Sequence, residues 1–297
     1  MSVLPDAVFF TEENSALAVA ERLSKTEKTR LSDALIAVVD HLHATIKEIC
    51  PTPEEWQQTI AFLTGVGHAC DDKRQEWVLL ADLLGLSALV EDMNSRRPPG
   101  ATQNTVRGPF YRRDAPHLPL GANISLDGVG QRLTVSGIVQ DLDSAPIAAA
   151  MVETWQANSH GFYENQQPNL QPEFNQPEFN LRGVFTTDAD GRYHYKTVKP
   201  AGYSVPDDGP VGQLLGRIGY PLRRPAHLHF IINATGYQPL TTQVFDRGDP
   251  NVREDALFGV KRGLLGNFRK IAGEANGPKW ALDFTFVLCA KKAEAGR

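Results

Sequence analysis

From about Thr11 to Asn94 the apolar positions recur with the period of a helix. The stretch "LSDALIAVVDHLHATIKEI" sets Leu31, Leu35, Val38, Val39, Leu42, Ile46 and Ile49 along one stripe, which predicts a long amphipathic helix. In "TPEEWQQTIAFL" Thr52 reads as an N-cap, Pro53 as the first helical residue and Glu55 as the other half of a capping box. "KRQEWVLLADLLGLSALVEDM" predicts a further long helix, and one near Glu12–Leu23 brings the number to about four.

Pro, Gly and polar residues crowd into "NSRRPPGATQNTVRGPF", a predicted loop or linker, and beyond it the period changes. The segments "QRLTVSGIVQD", "AAMVETWQA", "LRGVFTTDADGRYHYKTV", "AHLHFIINA", "TTQVFD" and "WALDFTFVLC" are short and rich in β-branched and aromatic residues. Turns separate them, and "DADG" carries a hairpin-like signal. The expected fold class is therefore α+β. A helical N-terminal domain over residues 1–104 precedes a mainly antiparallel β-sandwich or barrel over residues 105–297. The tandem "QPEFNQPEFN" is too short to build a repeat architecture and reads as a lengthened surface loop.

Composition narrows the class. Hydrophobic residues make up 41% and charged residues 22% of the chain, and the formal net charge is -5. No basic block favours nucleic acid, and no apolar run approaches the ~18–20 residues of a membrane span. The N-terminal residues lack the pattern of a signal peptide. Cys50, Cys70 and Cys289 are too scattered for a disulfide framework or a thiolate metal site. These features lead to the expectation of a cytoplasmic enzyme.

The candidate chemistry starts in "RRPAHLHFII", where His227 and His229 stand two apart in an apolar run. Side chains at i and i+2 of a strand share a face, so both imidazoles converge on one spot. Two neutral imidazoles make half a metal site. The usual zinc patterns offer no nearby Cys, Asp or Glu, and Asp246 and Asp249 lie in the turn-like "DRGDP". Tyr163 in "HGFYENQ" and Tyr203 in "KPAGYSVPDDGPVG" occupy strand ends, where functional groups concentrate. Taken singly, such histidines also serve as hydrogen-bonded core residues, and such tyrosines as amphipathic rim residues. Tyr193 and Tyr195 read as packing; His41, His43, His68, His117, His160 and His194 read as structural.

"GFYENQ", "KPAGYSVPDDGPVG", "RPAHLHF" and "TTQVF", in this order and spacing, resemble the intradiol ring-cleavage dioxygenases, non-haem Fe(III) enzymes that open catechol-type rings between the two hydroxyls. The likeness extends to "LLADLLGLS" and "GPFYRRDAPHLPLGANI", and so to nearly the whole chain. It implies that Tyr163, Tyr203, His227 and His229 hold Fe(III), that Arg224 stabilises negative charge on the ring, and that Gln243 orients groups around the metal. The chemistry agrees: ferric iron is hard and suits anionic oxygen, and two phenolates with a hydroxide balance its charge. By the same resemblance the substrate binds as a dianion, and Tyr203 is the ligand that departs and accepts its proton.

Within the family the likeness is to enzymes of hydroxyquinol (benzene-1,2,4-triol), with catechol or chlorocatechol as the alternative substrate. It implies a pocket of Leu79, Asp82, Val106, Arg107, Gly108, Pro109, Phe110, Val205 and Pro206. Asp82 among leucines would accept a hydrogen bond from the third ring hydroxyl. Arg107 departs from the apolar residue expected before "GPF" and admits an acidic or otherwise substituted ring. The partners implied are an aromatic diol or triol, O2, a second copy of the chain paired through the N-terminal helices, and a phospholipid at that interface. Two readings from other classes stand beside this one. A divalent-metal hydrolase using the His pair leaves the tyrosines unexplained, and a metal-free β-sandwich binding module would place the histidines in hydrogen bonds.

Overall fold

A computed structural model describes residues 9–72, 74–166, 175–272 and 279–291. All but Asn175 of the first QPEFN copy lies outside the described residues. Six helices are described: α1 (Ser15–Ser24), α2 (Arg30–Ile49), α3 (Pro53–His68), α4 (Glu76–Leu83), α5 (Leu86–Asn94) and α6 (Pro210–Arg217). The strands are β1 (Arg132–Asp141), β2 (Met151–Gln156), β3 (Arg182–Thr186), β4 (Arg192–Val198), β5 (Tyr203–Ser204) and β6 (Arg223–Arg224). They continue with β7 (His227–Asn233), β8 (Leu240–Asp246), β9 (Leu265–Gly266), β10 (Arg269–Lys270), β11 (Trp280–Asp283) and β12 (Phe286–Leu288). The chain divides into two compact units, one up to Gly65 and one from Val66 onward.

In the first unit the predicted helix starts are capped as their chemistry requires. Glu55 N–H donates to Thr52 Oγ1 at 3.2 Å while Thr52 N–H donates to Glu55 Oε2 at 2.8 Å, the reciprocal capping box at the start of α3. Thr29 and Ser32 make the same exchange at the start of α2. In the single chain Leu31, Leu35, Val38, Leu42, Ile46 and Ile49 are all exposed, Leu31 at 69%. All of the apolar stripe of α2 except half-buried Val39 is thus left uncovered, far more than a scatter of single surface leucines.

The second unit starts with a departure from expectation. The long helix predicted in "KRQEWVLLADLLGLSALVEDM" is broken into α4 and α5. Gly85 takes a left-handed backbone (φ 75°), and a Cβ there would lie 3.3 Å from the Phe258 ring. Only glycine meets both demands cheaply, so the apolar periodicity runs on while the helix stops.

Two five-stranded sheets follow. One runs β10-β11-β1-β12 with β4 also paired to β1; the other runs β3-β2-β7-β8-β9; β5 and β6 form a separate hairpin. Most pairings are antiparallel, with β1 parallel to β11 and β12 and β8 parallel to β9. The "DADG" turn, expected to close a hairpin, instead carries the chain from one sheet to the other, since β3 pairs with β2 while β4 pairs with β1. The last predicted strand is split in two around Phe284, whose carbonyl oxygen would be 1.8 Å from any Cβ at position 137. Gly137 is what lets the backbones approach there.

The apolar core lies between the sheets. Leu133, Val135, Val139, Tyr193, Tyr195, Leu282 and Phe286 come from one, and Val152, Phe185, Leu228, Phe230, Ile232 and Val244 from the other. Tyr193 and Tyr195 are packing residues, as expected. Alternation along β7 gives Leu228, Phe230 and Ile232 to this core and turns His227 and His229 to the opposite face of the sheet. Both histidines are nevertheless buried, so other segments cover that face.

Candidate metal centre

The centre is built on three adjacent strands. The register places Trp155 of β2, His229 of β7 and Gln243 of β8 side by side. The indole of Trp155 stacks on the His229 ring at 4.6 Å with planes 12° apart, which fixes the orientation of that imidazole. His227 is fixed from its other side: its Nδ1–H donates to Pro225 O at 2.7 Å, which leaves Nε2 with a bare lone pair.

The tyrosines come from loops at strand ends. After β2, Asn158 Oδ1 accepts from the N–H groups of His160 and Phe162 at 2.9 and 3.0 Å and coils the chain toward Tyr163. Gly161 (φ 91°) packs so closely on the second tyrosine that a Cβ would lie 2.7 Å from Tyr203 Cβ. The loop is tethered by Glu164, whose carboxylate accepts from buried Arg182 at 2.7 Å and from Arg112 at 3.3 Å. Phe110 stacks on the Tyr163 ring at 4.5 Å. Tyr203 sits in the β5–β6 hairpin, directly paired with Arg224.

Four donor atoms converge. Tyr163 Oη lies 2.9 Å from His229 Nε2, 3.4 Å from His227 Nε2 and 3.4 Å from Tyr203 Oη, and the two Nε2 atoms are 3.2 Å apart. Ligands about 2.0–2.1 Å from a common first-row metal stand about 2.9–3.4 Å from each other, so these separations match the edges of one coordination sphere. Among the described residues no group of three or more His, Cys, Asp or Glu gathers to hold a metal. A cation bound by the histidines therefore takes tyrosine oxygens as its further ligands. Two neutral imidazoles with two oxygens able to become phenolates suit a hard, highly charged ion.

The electrostatics favour the same ion. Burial lifts the Tyr163 hydroxyl well above its ordinary pKa, and the neighbouring Tyr203 adds to this, so a strong Lewis acid is needed to make the phenolate. Burial, with the Arg224 charge beside it, lowers His227 to about 3. His229 is lowered well below its ordinary value by burial, then by His227. Both rings are thus neutral at neutral pH, the form in which imidazole can bind a cation.

Arg224, Gln243 and His227 form one buried network. Arg224 Nη2 donates to Gln243 Oε1 at 2.9 Å, and Nη1 lies 3.4 Å from His227 Nε2. Gln243 Nε2 donates to Val106 O at 3.2 Å and lies 3.3 Å from His229 Nδ1. Burial opposes the Arg224 charge, but Asp255 together with the oxygens of Tyr203 and Tyr163 more than offsets it and keeps the guanidinium charged.

Of the pocket residues expected from the sequence, Val106, Gly108 and Phe110 touch the centre directly. A Cβ on Gly108 would be 3.3 Å from His229 Cε1, so backbone alone passes there. Leu79 and Asp82 on α4, Pro109, and Val205 and Pro206 after β5 stand on flanking segments. Asp82 is half-buried; burial raises its pKa against the pull of Ser87 and Arg224, which places its carboxylate within the field of the centre. Arg107 is exposed, with its guanidinium 4.7 Å over the Tyr111 ring. Trp155 and Asp255 belong to the site but carry no local sequence signal: each acts across strands or loops. Helix α6, between Tyr203 and Arg224, was also not anticipated, although Gly209-Pro210 is a helix-start pattern.

The fold and this donor set define a known class. Residues 28–102 match the family model for the catechol dioxygenase N terminus, and residues 106–290 match that for the dioxygenase domain. The chain belongs to the intradiol ring-cleavage dioxygenases. It is 47% identical to a hydroxyquinol 1,2-dioxygenase of Rhizobium sp. (strain MTP-10005), over 97% of this chain and 99% of that one. It is 43% identical to a 6-chlorohydroxyquinol 1,2-dioxygenase of Cupriavidus pinatubonensis, over 94% and 98% of the two chains. The solved structure of a hydroxyquinol 1,2-dioxygenase from Pseudomonas putida DLL-E4 superposes with a TM-score of 0.87 at 35% identity, covering 94% of this chain and 99% of that one.

The depressed histidines make stability depend on pH. The folded rings stay neutral down to about pH 3 for His227, whereas unfolded histidine takes a proton below about 6.5. Their contribution is complete above pH 6.5 and is lost as the pH falls from there toward 3. Urea unfolding of metal-free protein should therefore weaken between pH 7 and 4.5, by up to about 1.4 kcal/mol per pH unit for each ring. His227→Gln should flatten that slope; a slope identical to that of the unsubstituted chain would show that His227 is protonated in the fold.

Proposed function

We propose that this chain cleaves hydroxyquinol between its two adjacent hydroxyls, inserting both atoms of O2 to give 3-hydroxy-cis,cis-muconate, the enol tautomer of maleylacetate. The observation that carries the metal is the convergence on Tyr163 Oη of Tyr203 Oη, His227 Nε2 and His229 Nε2 at 2.9–3.4 Å, with the two Nε2 atoms 3.2 Å apart. The choice of ring rests on near full-length identity to relatives named for hydroxyquinol and 6-chlorohydroxyquinol. Tyr163, Tyr203, His227 and His229 would hold ferric iron, which would supply Lewis acidity toward an electron-rich ring diol.

The protein's own groups do the rest. Tyr203, on the two-residue strand β5 and less buried than Tyr163, is the ligand that yields to substrate and accepts its proton. Tyr163, wedged between Phe110 and the histidines, stays. Arg224 lends positive charge to the ring carbons that become electron-rich, and Gln243 holds Arg224 and His229 in register. The 106–110 backbone excludes water from the His229 side. Asp82 accepts a hydrogen bond from the third hydroxyl; the 6-chloro relative favours tolerance of a halogen on the same ring.

The exposed stripe of α2 is the surface through which we propose that two chains pair, and a phospholipid acyl chain is proposed to lie along the same apolar residues. The helical and sandwich modules proposed for residues 1–104 and 105–297 join between the two family matches. A cytoplasmic location is part of the proposal: all three cysteines are free thiols, and among the described residues no helix is long and apolar enough to cross a membrane.

Three outcomes are expected. Iron-loaded protein should be red to purple, and its visible band should shift on anaerobic addition of hydroxyquinol more than of catechol. A colourless, iron-free chain that takes up neither ferric nor ferrous iron would overturn the metal centre, and a shift with catechol alone would overturn the ring. Asp82→Ala should cut kcat/KM for hydroxyquinol by about 10²-fold, the worth of a hydrogen bond to a charged acceptor, and change catechol turnover little; equal losses on both would remove Asp82 from recognition. Native mass spectrometry should give a dimer carrying lipid mass, and Val38→Glu with Leu42→Glu should yield monomers; an unsubstituted chain that is monomeric at micromolar concentration would refute the pairing.

A further inference from the structure

We propose that Asp255 is a positioning residue for the reaction: it aims the guanidinium of Arg224 at the ring rather than contributing charge. The inference rests on the reading of Arg224 given above. Arg224 Nε donates to Asp255 Oδ1 at 2.9 Å and Nη2 to Oδ2 at 3.3 Å, a two-point grip that fixes the guanidinium plane. Nη2 spends its other hydrogen on Gln243 at 2.9 Å. The edge that remains, Nη1, is the one facing His227 and the donor cluster.

The carboxylate is itself held. Its oxygens accept from Leu257 N–H at 3.4 Å and Gly259 N–H at 2.8 Å, and the chain turns between them at Phe258 in a left-handed conformation (φ 56°). Ala256 N–H donates to Arg223 O, which ties the loop to the strand that bears Arg224. Gly259 leaves no slack: a Cβ there would lie 3.0 Å from Arg224 Nη2 and 3.1 Å from both Asp255 Oδ2 and Gln243 Oε1. Both side chains of the pair are 2% exposed.

Charge alone does not explain this arrangement. A carboxylate beside Arg224 subtracts from the positive field that reaches the substrate, so a site needing only positive potential would be better without it. What Asp255 supplies is direction: it occupies Nε and part of Nη2 and leaves one edge for the reaction. Nothing in "EDALFG" marks this role, because Asp255 is 31 residues from Arg224.

The test compares Asp255→Asn, Asp255→Glu, Arg224→Leu and the double variant Arg224→Leu/Asp255→Asn as iron-loaded protein. Asp255→Glu keeps the charge and displaces the grip, so it separates aim from charge even where Asp255→Asn fails to fold. We expect Asp255→Glu to retain iron, the visible band, and anaerobic affinity for hydroxyquinol within about threefold, while kcat falls about 10²-fold, the cost of a misplacement near 1 Å. The double variant should be no slower than Arg224→Leu alone. Asp255→Glu at the unsubstituted rate would overturn the positioning role, as would a double variant more than about tenfold below Arg224→Leu. Arg224→Leu at full rate would instead overturn the role given to Arg224 itself.

Discussion

Everything at the centre follows from gathering uncharged donor atoms around Tyr163 Oη, which lies 2.9–3.4 Å from Tyr203 Oη and from both histidine Nε2 atoms, themselves 3.2 Å apart and buried. Lone pairs crowded this closely repel unless protons or a cation lie between them. Burial makes the obvious relief, protonating the histidines, expensive: His227 is lowered to about 3 and His229 well below its usual range. The phenolic protons relieve part of the crowding, Tyr163 Oη lying 2.9 Å from His229 Nε2; a cation would replace them, and two oxygens that become phenolates would add the negative charge a trivalent ion requires. The surroundings serve this constraint. Trp155 locks one imidazole, Pro225 O locks the other, and Glu164 with Arg182 ties down the loop that carries Tyr163.

The two histidines raised a question in the sequence that the sheet answers. Strand β7 serves two interiors at once: Leu228, Phe230 and Ile232 fill the sandwich, while His227 and His229 face the other way and are buried by the 106–110 stretch and the Tyr163 loop. A strand with both faces covered loses the polar and apolar alternation expected of an exposed sheet, which is why the run reads as uniformly apolar. The Trp155–His229–Gln243 row then depends on antiparallel register, so a one-residue slip would turn all three away from the centre.

How much of this was legible follows from the range of the interactions. Capping at Thr52 is set within four residues and could be read directly. The shared face of His227 and His229 is a property of strand geometry and was equally open. Tyr163 and Tyr203 stood out by their places at strand ends, but their role as ligands came only through family resemblance, since a loop tyrosine has no periodicity to place it. The break at Gly85 was hidden because it depends on the Phe258 ring, distant in sequence. The segment 181–198 read as a hairpin because its turn is local, whereas the choice of partner strands belongs to the whole sandwich. Trp155 and Asp255 were invisible for the same reason: their partners are reached across strands, and composition carries no trace of them.

The charges of the proposed centre also balance in a way the burial demands. A trivalent cation with two phenolates and a hydroxide sums to zero. Were a dianionic ring to replace the hydroxide and the Tyr203 phenolate, that sum would stay unchanged, the ring's two protons leaving on Tyr203 and on water. Arg224 and Asp255, both 2% exposed, sum to zero beside it. Net charge in a low-dielectric pocket costs several kcal/mol per unpaired ion, so a site that passed through a charged sum on binding substrate would lose affinity at that step. Neutrality before and after exchange removes this penalty and leaves the local direction of the Arg224 dipole, rather than the total charge, to act on the ring. The grip of Asp255 on Nε and Nη2 then matters through the orientation it gives Arg224, while its charge keeps the buried pair neutral.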